Sequence, residues 1–344
     1  MKNKLFFLSL LLITFSNCKS QNAISSAKKN KTVVTSASAY LNLINQEDLK
    51  KHLYVIASDE MQGRNTGEPG QKEAGKYIIE QYKNAGISYP KGANSYYQPI
   101  PASYFKKAFS DDLGASENIW AFIEGSEKPK EIVVLSAHYD HVGTKNGIIY
   151  NGADDDGSGT VALIEIAKAF QKAKKEGHGP KRSILFLHVT GEEHGLHGSR
   201  YYSENPLFPL AKTIADVNID MIGRQDELHK DSNYVYIIGS DYLSSDLYNA
   251  VEKANKETVN LFLDYKYNDK NDPNRFYYRS DHYNFAKHNI PSVFLFNGTH
   301  ADYHQPTDDP DKIDYDALRK RTQLAFAIVW KLSNAKKRPV VDKL

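Results

Sequence analysis

Cysteine is almost missing from the chain: Cys18 is the only one in 344 residues. That excludes an intramolecular disulfide and any thiolate zinc site. An excess of one charge is missing too, since 44 Lys+Arg face 42 Asp+Glu, a net of +2. Such a balance gives no reason to expect nucleic acid as a partner, which normally shows as a basic patch or stripe. With 21 Gly and 13 Pro the chain is neither collagen-like nor a linker. No internal repeat and no Gly/Ser linker divides its body. The apolar run Leu5–Phe15 is the longest near the N-terminus. It falls short of the roughly 20 residues that span a bilayer.

What is present begins with that run. Lys2 and Lys4 precede it and Ser16-Asn17-Cys18 follows it, the layout of an export signal over residues 1–17. A lone cysteine there resembles the lipobox of bacterial lipoproteins, although Phe15 and Asn17 depart from its usual residues. The expectation is an exported protein anchored at the cell envelope through a lipidated Cys18, with plain secretion as the alternative. Residues 18–36 are polar and aperiodic and are expected to act as a tether. The remaining residues, 37–344, are expected to form one domain.

Within that body, helical patterns occupy 47–57 and 68–87, and 88–116 shows no period. Apolar strands follow at 118–125, 131–138, 183–190, 214–223, 234–239 and 291–298, with helices at 157–173, 241–257 and 316–333. Alternation of this kind predicts an α/β fold: a central mixed, mostly parallel twisted sheet with helices on both faces.

Acidic and imidazole side chains gather where those strands end. SAHYDHVG carries His138 and Asp140, NGADDDGSG carries Asp154, Asp155 and Asp156, and TGEEHG carries Glu192 and Glu193. NIDMIG adds Asp220, and FNGTHADYHQPTDD adds His304. Ligands of open α/β sheets bind beyond the carboxyl ends of strands, so these loops should meet at one rim. So many carboxylates tolerate each other only around cations. Imidazole and carboxylate donors without thiolate suit zinc, with manganese or cobalt as substitutes. The donor inventory is enough for two ions sharing one carboxylate.

In their order, these motifs together with SDHYNF resemble metallopeptidase family 28, the co-catalytic zinc aminopeptidases, over about residues 47–333. The resemblance implies the zinc aminopeptidase fold and two zinc ions per chain. It implies that His138 and Asp220 hold one ion, Glu193 and His304 the other, and that Asp154 bridges them. Glu192 is then the general base and Tyr303 the oxyanion donor. Asp140 is expected to orient His138 through its other ring nitrogen, and Asp281 to serve another ligand in the same way. A cis peptide is implied between Asp154 and Asp155. The substrates implied are peptides with a free N-terminus. Carboxypeptidase or dipeptidase activity, a one-zinc glutaminyl cyclase, and a non-catalytic binding protein on the same fold are the competing readings.

Overall fold

The computed structural model describes residue 1 and residues 37–109 and 112–343. The signal, Cys18 and tether readings fall on residues outside those described.

The strands, in chain order, are β1 (Tyr97–Ile100), β2 (Ser116–Ile123), β3 (Lys128–His138), β4 (Gly143–Lys145), β5 (Ile148–Tyr150), β6 (Arg182–Val189), β7 (Thr213–Ile219), β8 (Tyr234–Ile238), β9 (Phe262–Asp264) and β10 (Ser292–Phe296). Eight form one sheet in the order β1-β2-β6-β3-β7-β10-β8-β9, while β4 and β5 make a separate hairpin. The contiguous set β6-β3-β7-β10 is parallel throughout. Antiparallel pairings flank it, β2 on β6 and β8 on β10. The mixed, mostly parallel sheet expected from the alternation is therefore present. Its four central strands all point their carboxyl ends to the same rim.

The reason these segments form strands shows in β3. Val133, Leu135 and Ala137 enter the large core on one face, and Ile132 and Val134 the smaller core on the other. A strand buried on both faces reads as an unbroken apolar run because successive side chains point opposite ways. Helices Gln46–Ile56, Pro69–Ala85, Gly159–Lys175 and Tyr315–Asn334 cover the first face. Asn45 caps the first by accepting from the Asp48 N–H, and Asp314 caps the last. Gly86, at φ 73°, closes the second with a left-handed turn.

Residues 88–116, which show no period in the sequence, contain β1 and the helix Ala102–Phe109. β1 carries Pro99 and lies at the sheet edge, where a missing N–H costs no ladder bond.

Behind the rim lies Arg64, fully buried. Its guanidinium donates to the carbonyls of Ile56, Tyr139, Asn151 and Gly152 at 2.6–2.9 Å. Burial pulls its pKa down to about 10, and the nearby carboxylates of Asp140, Asp155 and Asp156 oppose that.

Candidate active site

Each central strand delivers one part of the site. β3 ends on His138; β6 leads into Glu192 and Glu193; β7 leads into Asp220; and the segment after β10 brings Tyr303 and His304. Between β3 and the helix Gly159–Lys175 the DDD run leaves regular geometry. Gly152 is left-handed at φ 55°, and Asp155 and Asp156 have non-helical backbones. The run therefore does not present its three carboxylates on one helical face.

Asp155 occupies the centre. Its Oδ1 lies 3.2 Å from His138 Nε2 and its Oδ2 lies 3.0 Å from His304 Nε2. Around His138 Nε2 stand Asp220 Oδ1 at 3.6 Å and Glu192 Oε2 at 3.9 Å. Around His304 Nε2 stands Glu193 Oε2 at 3.0 Å. Two groups of donor atoms thus face two points, with one carboxylate reaching both.

Four expectations need correcting. Asp154, expected as the bridge, turns away: its Oδ1 accepts the Gly223 N–H at 2.6 Å and its Oδ2 meets His300 at 3.2 Å. The cause is the chain direction after Gly152, which aims the second carboxylate of the run, not the first, between the imidazoles. The cis peptide likewise joins Asp155 to Asp156 rather than Asp154 to Asp155. Asp140 does orient His138, but through its main-chain carbonyl, 3.0 Å from Nδ1, while the carboxylate stays 3.8 Å away. That carboxylate accepts instead from the Thr66 hydroxyl and the Glu192 N–H. Asp281 is buried, and neither of its oxygens has a hydrogen-bond partner among the described residues. Burial pushes its carboxyl up to about 7, and it orients no ligand directly.

Further side chains contribute to the site. Ser280, the first residue of SDH, donates to Asp220 Oδ2 at 2.6 Å and so leaves Oδ1 for the centre. Ser280 in turn accepts from Asn218. His141, three residues past His138, approaches Glu193 Oε1 to 2.7 Å. Its spacing from His138 at a strand end was the available signal. Arg279 donates to the Tyr303 hydroxyl at 3.3 Å. Arg224 pairs with Asp302 at 2.7 Å.

Electrostatics fit a cation-binding role. Burial would push the Asp155 carboxyl up, but the facing imidazoles of His138 and His304 hold it well below the usual range. Burial acts the same way on Glu193, where His141 and His304 bring it down to about 2. His304, against burial, is drawn up to about 10 by Asp155 and Glu193. Glu192 alone of the pair is raised well above a free glutamate, by burial first and then by Asp220, Glu193 and Asp281. The donor set is all imidazole nitrogen and carboxylate oxygen. Atoms about 2.0–2.1 Å from a tetrahedral zinc lie about 3.3 Å apart. The four central pairs, at 3.0–3.6 Å, match that spacing, so the residues fit zinc.

A recess beside the cluster is lined by Met221, Phe276, Phe294 and Phe296 together with Arg279 and Tyr303. Phe276 comes from the 269–282 segment.

The sequence profile of peptidase family M28 matches residues 118–329. The chain belongs to peptidase family M28. A vacuolar membrane protease from Paracoccidioides brasiliensis is 30% identical over 136 residues, covering 40% of this chain and 13% of that protein. The chain thus spans only about an eighth of the length of the curated relatives it matches. The Legionella pneumophila LapA aminopeptidase structure superposes with a TM-score of 0.66 at 21% identity, covering 88% of this chain and 75% of that one. A glutaminyl cyclase from Bacteroides thetaiotaomicron, bound to N-acetylhistamine, gives a TM-score of 0.65 at 18% identity, covering 83% and 98%. At these identities the two structures establish the fold.

Proposed function

We propose that this M28 peptidase is an aminopeptidase with two zinc ions, removing N-terminal residues from peptides. One observation carries the reading: the Asp155 carboxylate reaches an imidazole on either side, 3.2 Å from His138 and 3.0 Å from His304. In it, His138, Asp155 and Asp220 hold one ion, and Asp155, Glu193 and His304 the other. Bound zinc supplies Lewis acidity and lowers the pKa of water at the site.

The chain's own residues do the rest. Glu192 keeps 11% of its side chain exposed, lines the recess, and lies on the His138 side of the cluster. It takes a proton from the attacking water and returns it to the departing amine. Its raised pKa suits a group that must hold that proton between the two steps. Tyr303 offers its hydroxyl to the carbonyl oxygen, with Arg279 tethering it. The aromatic recess receives an apolar N-terminal side chain.

The LapA likeness supports the aminopeptidase reading, and the glutaminyl cyclase likeness favours a one-zinc cyclase as the alternative. A cyclase needs fewer protein ligands than the six central donor atoms offered by His138, Asp155, Asp220, Glu193 and His304. Zinc content with a substrate panel separates them. Two zinc ions per chain, cleavage of leucyl peptides and no cleavage of their N-acetylated forms are expected. One ion with cyclisation of N-terminal glutamine, or cutting of blocked peptides, overturns the proposal. Export, with lipidation at Cys18, belongs to the same proposal. Mass spectrometry of the mature N-terminus tests it, and an unmodified Cys18 refutes the anchor.

A further inference from the structure

The site treats the two oxygens of Glu193 differently. Oε2 lies 3.0 Å from His304 Nε2, whereas Oε1 lies 2.7 Å from Nδ1 of His141. His141 is fully buried where the chain leaves β3. Its ring is packed on the backbone of Gly152, where a Cβ would come within 2.4 Å of the ring carbons. A glycine at 152 is therefore what lets the imidazole sit there.

Spacing decides what such a ring does. Neighbouring ligands of one zinc lie about 3.3 Å apart. His141 Nδ1 is 2.7 Å from Glu193 Oε1 and 3.8 Å from Asp155 Oδ2, too close to one and too far from the other. The shorter distance falls instead among charge-assisted hydrogen bonds, about 2.7–2.9 Å. The approach is short but not directed as a hydrogen bond, and neither atom has any hydrogen-bond partner among the described residues. Ser280 divides the labour of Asp220 in the same manner, taking Oδ2 and leaving Oδ1 to face His138.

We propose that His141 is a positioning residue for the second zinc: its Nδ1–H holds Glu193 Oε1 and so aims Oε2 at the point shared with His304 and Asp155. The proposal rests on the two-ion reading above.

The test is a zinc titration of the whole chain against a chromophoric chelator, with X-ray absorption on the zinc-saturated protein. Wild type, His141→Ala and His141→Asn are compared, since the Asn amide nitrogen can stand in for Nδ1. The wild type should bind two equivalents. His141→Ala should still bind two at saturation, with the weaker equivalent loosened about 10–100-fold and the nitrogen count at zinc unchanged. His141→Asn should recover most of that affinity, which simple loss of packing would not explain. Wild-type affinity in His141→Ala overturns the proposal, as does a second equivalent weakened equally in both variants. Complete loss of that equivalent, or a drop in zinc-bound nitrogen, makes His141 a ligand and also overturns it. A wild type that binds one equivalent refutes the two-ion reading itself, and this inference with it.

Discussion

The two halves of the site are built from different material. His138 and Asp220 sit at or just past the ends of adjacent strands β3 and β7, and His138 keeps 1% of its side-chain surface. His304 lies in the segment between β10 and the last helix, 38% exposed and left-handed at φ 55°. One half inherits the rigidity of the sheet; the other depends on local contacts such as Glu193 and the Tyr303 ring stacked 4.0 Å away. A shared acid, Asp155, joins them. If both halves hold an ion as proposed, equal numbers of donors need not give equal grip, because the exposed half has more side-chain freedom to lose on binding than the buried one.

Substitution at the joint should break the comparison outright. Asp155→Ala should lose both ions and at least about 10⁴-fold in activity. Asp154→Asn should keep both, because its oxygens face Gly223 and His300. Metal analysis beside peptide hydrolysis reads the contrast, and the opposite ranking would restore Asp154 as the bridge. Next in size, Glu192→Gln should cut kcat about 10²–10⁴-fold with zinc content unchanged, since the base is removed and the ligands remain. A sharper comparison comes from timed chelation. One zinc should leave well before the other, and His304→Ala should abolish only the fast phase. Ser280→Ala should instead weaken the slow, sheet-borne ion about 10-fold.

The smallest effect lies outside the centre and sets site histidines against core ones. Burial alone drives His188 down to about 3, with Tyr82 as its partner at 2.6 Å. Its folded pKa lies below the unfolded value of about 6.5, so only the unfolded chain gains that proton. Stability from this group is therefore full above pH 6.5 and lost as pH falls toward 3, about 3 kcal/mol by pH 4. His188→Gln should flatten the stability slope over that window in chemical denaturation. An unchanged slope would mean that His188 is not neutral in the fold.

The sheet was legible because strands buried on both faces must be continuous apolar runs, and β3, β6 and β10 are. The rim followed from where those runs stop. Which carboxylate of the DDD run faces inward was not legible: three identical residues in a row carry no register, and the left-handed turn at Gly152 decides it. Ser280 and Asn218 escaped notice for another reason. They are ordinary polar residues whose partners come from strands far apart in sequence, so their roles exist only after β3, β7 and the segment before β10 have packed.

Arg64 is a further case, and it constrains any attempt to move this chemistry elsewhere. One side chain ties the end of the first long helix, the exit of β3 and the approach to the acidic run to a common anchor. A designer who transplanted the five motif loops onto another sheet without residue 64 would carry over every ligand and leave behind the fastening that keeps two of those loops in register.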